Sequence, residues 1–166
     1  FENLSPVTTG DFNISFFSLK TAFSKENKLN NSSSLFQQFQ ENRAIISQRL
    51  GAQNPNSAGS AGGYADGYGK SSQDVLIASF MAAYTGKDAN KISLNRFPKV
   101  PIPNWRLSYN GLTKYSFFNE IFTSIDINHA YRSLYSVNGF NSLVRYQESN
   151  GAVNVKDASG NFLPFY

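Results

Sequence analysis

Residues 124–137 read SIDINHAYRSLYSV. The stretch alternates. Ile125, Ile127, His129, Tyr131, Tyr135 and Val137 fall on one face of an extended chain. Ser124, Asp126, Asn128, Ala130, Arg132 and Ser136 fall on the other. Period-two alternation of this kind predicts a strand with one apolar and one polar face. The alternation extends back to Ile121, and at about 3.3 Å per residue a strand over 121–137 would run about 55 Å. A membrane-spanning strand needs only about 9–11 residues, so this one would cross a bilayer and protrude beyond it. Asn138-Gly139 follows as a hairpin signal, with a returning strand over 142–147.

Outward from that stretch, residues 105–110 predict a strand with Trp105, Leu107 and Tyr109 on one face. The segment between it and 121 suggests a short helical turn. Residues 12–23, FNISFFSLKTAF, predict another strand. Residues 24–33 are polar and read as a loop. The period then changes. Leu35, Phe36, Phe39, Ile46 and Leu50 recur at helical spacing over 34–50, with Gly51 after the last turn. A second helix is predicted over about 72–85, capped at Ser71 or Ser72 and stopped at Gly86. Its expected stripe is Val75, Leu76, Phe80, Ala83 and Tyr84. Prolines force the following segment, LNRFPKVPIPNW, to be extended. The tail carries one more turn at DASGN. No internal repeat is visible.

The chain has 166 residues, enough for one domain with its own core. It begins with Phe, carries no signal-peptide pattern, and reads as a processed product or a piece of something longer. No apolar run is long enough for a transmembrane helix, which leaves barrel strands open. Cysteine is absent, which rules out disulfides, zinc thiolates and cysteine nucleophiles. The net charge of +4 comes from scattered basic residues rather than a patch, so nucleic acid is not an expected partner. Phe and Tyr are abundant, as are Asn, Ser and Gly. That composition suits a membrane barrel or a strand-rich surface protein.

Chemical motifs are weak. GYGKS ends like a phosphate-binding loop, but the first glycine of G-x-x-x-x-G-K-[ST] should stand at 64, which is Tyr. A structural loop using glycine for positive φ is the better reading. His129 is the only histidine, with no nominated nucleophile or metal co-ligand. Asp126 has no carboxylate partner for glycoside hydrolysis. Trp105, Tyr109, Tyr131 and Tyr135 read equally as membrane-interface girdle residues or as the core of a sandwich.

PIPNWRLSYNGLTK followed by NHAYRSLYSVNGF resembles the SprA/Sov family, the giant outer-membrane translocon of the Bacteroidetes type 9 secretion system. GYGKSSQDVLIASFMAAYTG and NISFFSLKTAF…NRAIISQRLG resemble it too, so the likeness runs over most of the chain. The resemblance implies an internal fragment of a very large barrel in the bacterial outer membrane that exports folded cargo. Implied partners are the remainder of the same barrel, a PorV-type barrel, a plug protein, cargo with a C-terminal secretion signal, and outer-membrane lipid. It implies no catalytic residue and no cofactor.

The expected fold is thus mainly β with a helical insertion, a segment of a large antiparallel transmembrane β-barrel and not a closed fold alone. Residues 1–24 would be a barrel strand region, 25–103 an inserted loop region with two helices, and 104–166 barrel strands and a hairpin. Polarity nominates Asp126, Asn128, Arg132 and Ser136 as lumen-facing. It nominates Ile125, Ile127, Tyr131, Tyr135 and Val137 as lipid-side or outer-wall. The alternative is a soluble cell-surface binding module for glycan or protein, using Tyr and Trp as stacking platforms. An enzyme is third, because the sequence names no convergent polar set.

Overall fold

A computed structural model describes residues 8–18, 20–21, 26–27 and 32–166. In chain order the elements are β1 (Thr9–Ser15), β2 (Glu26–Asn27), β3 (Ser32–Ser33), α1 (Ser34–Gln53), β4 (Ser60–Ala61), β5 (Tyr64–Ala65) and α2 (Gln73–Thr85). There follow β6 (Trp105–Tyr109), a 3-10 turn at Leu112–Lys114, α3 (Ser116–Asn119), β7 (Ile127–Tyr131), β8 (Leu134–Asn141), β9 (Glu148–Ser149) and β10 (Ala152–Val153). The expected strand over 12–23 ends at Ser15, and its positions 19 and 22–23 lie outside the described residues, as does most of the predicted loop over 24–33.

The helices hold the centre. Ile46 of α1 packs with Ala78, Met81 and Ala82 of α2, and Ala89 and Ile92 close the cluster. The stripes expected from spacing are only partly the buried ones. Phe36 and Phe80 are exposed, while Asn42, Ser47, Ala78, Ser79 and Ala82 are buried. Helix α2 is apolar nearly all round, so period alone does not select a face. Its small Ala and Ser residues allow close approach to α1, and that face goes inward. Phe80 stacks instead on Tyr84, with centroids 4.2 Å apart. Gly86 ends α2 at φ 62, the left-handed cap that glycine adopts at little cost. Helix α1 runs past Gly51, where a β-carbon would stand 2.4 Å from that of Ala65, so the glycine serves packing rather than termination.

A second cluster joins Ala65, Tyr68, Val75 and Phe162. Polar side chains tie it together. Ser47 Oγ donates to the Tyr68 carbonyl at 2.5 Å and accepts from the Ala65 amide at 2.9 Å. Asn54 Nδ2 donates to Tyr68 Oη at 3.0 Å and to the Val153 carbonyl at 3.1 Å.

The expectation of a large barrel segment is corrected here. Among the described residues helix makes up 27% and strand 24%, so they are not mainly β. Every sheet among the described residues has two strands. The single long strand over 121–137 does not form. It resolves into β7, which pairs antiparallel with β6, and β8, which pairs antiparallel with β1. The break falls at Arg132 and Ser133. There the Ser133 amide donates to Asn104 Oδ1 at 3.0 Å, and its carbonyl accepts from the Phe16 amide at 3.3 Å. Those bonds turn the chain out of one ladder and into the next.

Asn138-Gly139 is not a hairpin. Gly10 pairs with Phe140 and Phe12 with Val137, so two residues of β8 oppose one of β1. This is a β-bulge, with Gly139 at φ 61 and its amide donating to Asp11 Oδ1 at 2.6 Å. The hairpin falls at the next Asn-Gly, where Asn150 (φ 54) and Gly151 (φ 73) join β9 to β10. Positive φ at both central residues is the primed turn that matches strand twist. The predicted return strand over 142–147 contains a turn instead, closed by Tyr146 N–H to the Leu143 carbonyl at 2.9 Å.

Candidate functional site

The β6–β7 ladder is exposed on both faces except at Tyr131. Its register sets Trp105 opposite Tyr131, Leu107 opposite His129 and Tyr109 opposite Ile127. Alternation sends these six side chains to the same face and Arg106, Ser108, Asn128 and Ala130 to the other. Leu107 is 57% exposed, Tyr109 45% and Ile127 43%. Only Tyr131 is buried. Its ring stacks on Trp105 with centroids 4.6 Å apart, and Trp105 Nε1–H donates to His129 Nδ1 at 3.1 Å. His129 thus accepts from an indole; it makes no hydrogen bond to a hydroxyl or carboxylate among the described residues. The chain between the two strands adds Tyr115, Phe117, Ile121 and Phe122, all exposed.

The polar set nominated from sequence is spread over three elements. Asp126 precedes β7, Asn128 lies on it, Arg132 sits in the break and Ser136 lies on β8; all four are exposed. Asn128 Oδ1 accepts from Ser108 Oγ at 2.8 Å. The apolar set divides as well. Ile127 is exposed, Ile125, Tyr135 and Val137 are half-buried, and Tyr131 is buried. Tyr135 Oη donates to the Arg96 carbonyl at 3.1 Å, and its ring lies near Phe12 and Phe16. Neither set is brought to one continuous face.

The glycine-rich loop before α2 serves structure. Gly62, Gly63 and Gly67 have positive φ. The Gly69 amide donates to Asn161 Oδ1 at 2.9 Å, so an amide that an anion would take is already engaged. Asp66 receives Lys156 Nζ at 2.7 Å on both carboxylate oxygens, and that hydrogen bond holds its carboxyl below the ordinary value.

One half-buried ion pair has no signature in the sequence. Arg96 Nε meets Asp74 Oδ1 at 3.1 Å, with the side chains 18% and 17% exposed. Arg96 also donates to the Tyr166 carbonyl at 2.8 Å. Burial pushes the Asp74 carboxyl up, and the guanidinium only partly offsets it. Arg96 also borders a cleft of about 350 Å³ lined by Ile77, Phe97, Phe140 and Tyr166. Residues 22 apart on a helix and an extended segment leave no spacing signal.

Among the described residues, no three His, Asp or Glu side chains converge to hold a metal ion. None of the described helices is long and apolar enough to cross a membrane, which says nothing about a β-barrel. The fold and its exposed ladder define a small mixed α and β unit built on a helix pair. No protein-family model matches the chain, and no curated protein matches it significantly.

Proposed function

We propose that the chain is a non-catalytic structural part of an outer-membrane protein-export pore of the SprA/Sov type, which passes folded cargo. On this reading it joins the rest of the assembly through the apolar face of β6–β7. The observation that carries the attachment is the exposure of Leu107, Tyr109 and Ile127 on a two-stranded ladder. Two strands alone are marginally stable in water, and an apolar face of this kind is normally covered. The resemblance of PIPNWRLSYNGLTK and NHAYRSLYSVNGF to that family supports the type of assembly. The reading assigns none of the strands to a membrane-spanning wall.

The test replaces Leu107 and Ile127 together by Asp in the protein that carries this chain. Both positions are exposed, and neither belongs to the buried clusters around the helix pair. Folded cargo in the medium of a type 9-secreting bacterium should fall sharply. Unchanged secretion, with the variant present at normal level in the outer membrane, overturns the proposal. The stacked Trp105–Tyr131 pair favours a second reading, a glycan-binding surface. Polysaccharide binding that is lost in Trp105→Ala, with secretion intact, would select it.

A further inference from the structure

Beside the end of β1 lies a second and larger cleft, of about 640 Å³. That lies within the roughly 300–1,000 Å³ typical of small-ligand sites. Its floor is Met81 and Ile92, and its walls include Phe16, Phe17, Phe97 and Val100. The walls are fixed. Arg49 donates to the Ala89 and Ile92 carbonyls at 2.6 and 2.9 Å, pinning the loop after α2 onto α1. The Ile102 amide donates to the Ser15 carbonyl at 3.2 Å and fastens the proline-rich segment to β1.

The polar side chains in the lining are largely spent on the chain itself. Thr85 Oγ1 donates to the Met81 carbonyl at 2.7 Å. Ser93 Oγ accepts from the Asn95 amide at 3.2 Å, and Asn95 Oδ1 from the Phe97 amide at 3.0 Å. What remains is apolar surface and three lysines. Lys87, Lys91 and Lys99 all line the cleft and all are exposed. No Asp or Glu lines it. The nearest acid in sequence, Asp88, is outside the lining; it accepts from the Asn90 amide at 2.9 Å and Nδ2 at 3.0 Å, and it also feels the charge of Lys91. None of the three lysines is in an ion pair among the described residues.

We infer that this cleft binds a fatty carboxylate, with the acyl chain against Phe16, Met81 and Ile92 and the carboxylate among the three ammonium groups. The apolar floor and walls disfavour a sugar or a nucleoside, whose polar groups would go unpaired against them. A neutral lipid would leave the lysine cluster unused. The site adjoins the β6–β7 face through Tyr131, which contacts Phe16 and Phe17, but it does not rest on the proposed export role.

Met81 is the only methionine, so a chain labelled with carbon-13 at the methionine methyl gives one resonance on the cleft floor. The full chain is titrated with sodium dodecanoate below its micelle concentration. The Met81 signal should move and saturate, and affinity should rise roughly fourfold per methylene from decanoate to dodecanoate. In Lys87→Glu/Lys91→Glu/Lys99→Glu, dodecanoate affinity should drop about tenfold or more while dodecanol binding stays the same. These positions are exposed, and an unshifted Met81 signal in the free variant reports that the floor is intact. A Met81 signal that does not respond to dodecanoate overturns the inference. So does dodecyltrimethylammonium binding as tightly as dodecanoate.

Discussion

The Phe162 ring lies across Gly67 in the space that a side chain would need. A β-carbon on Gly67 would stand 2.2 Å from both Cδ2 and Cε2 of that ring, and the Phe162 amide donates to the Gly67 carbonyl at 2.7 Å. Gly67 also has φ +77. Two requirements for glycine therefore meet at one position, close approach and left-handed backbone. Together they hold the tail against the helix pair, since Phe162 belongs to the cluster with Tyr68 and Val75.

Gly67→Ala should therefore cost about 2–4 kcal/mol, from backbone strain plus displacement of a buried ring. Gly63 isolates the first cause. Its φ is +84, yet nothing lies within 4 Å of where a β-carbon would stand. Gly63→Ala should cost only about 1 kcal/mol. Urea unfolding of the two variants checks the difference. Equal losses would mean that the ring yields freely and that packing at Gly67 contributes little.

The sequence shows the helices because their signals are local. Helical spacing runs from Leu35 to Leu50, and Gly86 closes α2 with the left-handed cap that its position after the helix implies. The start of β6 at Trp105 and the turn at DASGN are local as well. The strands depart from expectation where the decision is made far away. Of the three Asn-Gly pairs, the two after β7 stand at 138–139 and 150–151, and the glycines of both adopt positive φ. Only the second makes a hairpin. The first is overridden because β1, well over a hundred residues earlier, pairs along β8 past it and leaves the extra residue as a bulge. The regular alternation over 121–137 likewise gives no warning that Asn104 and Phe16 will capture Ser133. The large cleft has no linear signature. Lys87, Lys91 and Lys99 follow no motif, and Phe16 and Phe17 reach it from the end of β1.

Asp74 gives a pH signature of known sign. Burial raises its carboxyl above the ordinary value of 3.8, with Arg96 opposing. A carboxyl raised on folding binds more protons in the folded chain. Its contribution to stability therefore grows as pH falls from the raised value toward 3.8, and is lost as pH rises through that window. Asp66 and Asp88 run the other way. Hydrogen bonds from Lys156 and from the Asn90 amide lower them, so their contributions persist above 3.8 and fade as pH falls through the lowered values. Subtracting the unfolding free energy of Asp74→Asn from that of the native sequence cancels those two. The difference should decline as pH rises from about 4 toward neutrality. A difference that rises over the same range would mean that the Arg96 ion pair outweighs burial.

Tyr131 ties the end of β7 to the end of β1. Its hydroxyl accepts from the Ser18 amide at 2.7 Å and donates to the Phe16 carbonyl at 3.0 Å, while its ring stacks on Trp105. Tyr131→Phe keeps the stack and removes both hydrogen bonds, leaving a part-buried amide and carbonyl behind. The cost should be about 1–3 kcal/mol. The effect should also be local. The Ser18 amide should exchange faster, because its acceptor is gone, while amides in α1 and α2 keep their protection. Because Phe16 and Phe17 form one wall of the large cleft, the same loosening should weaken dodecanoate binding without changing its preference over dodecyltrimethylammonium. Unaltered exchange at Ser18 would show that residues 16–18 are held by Ser133 and the β1–β8 ladder rather than by Tyr131.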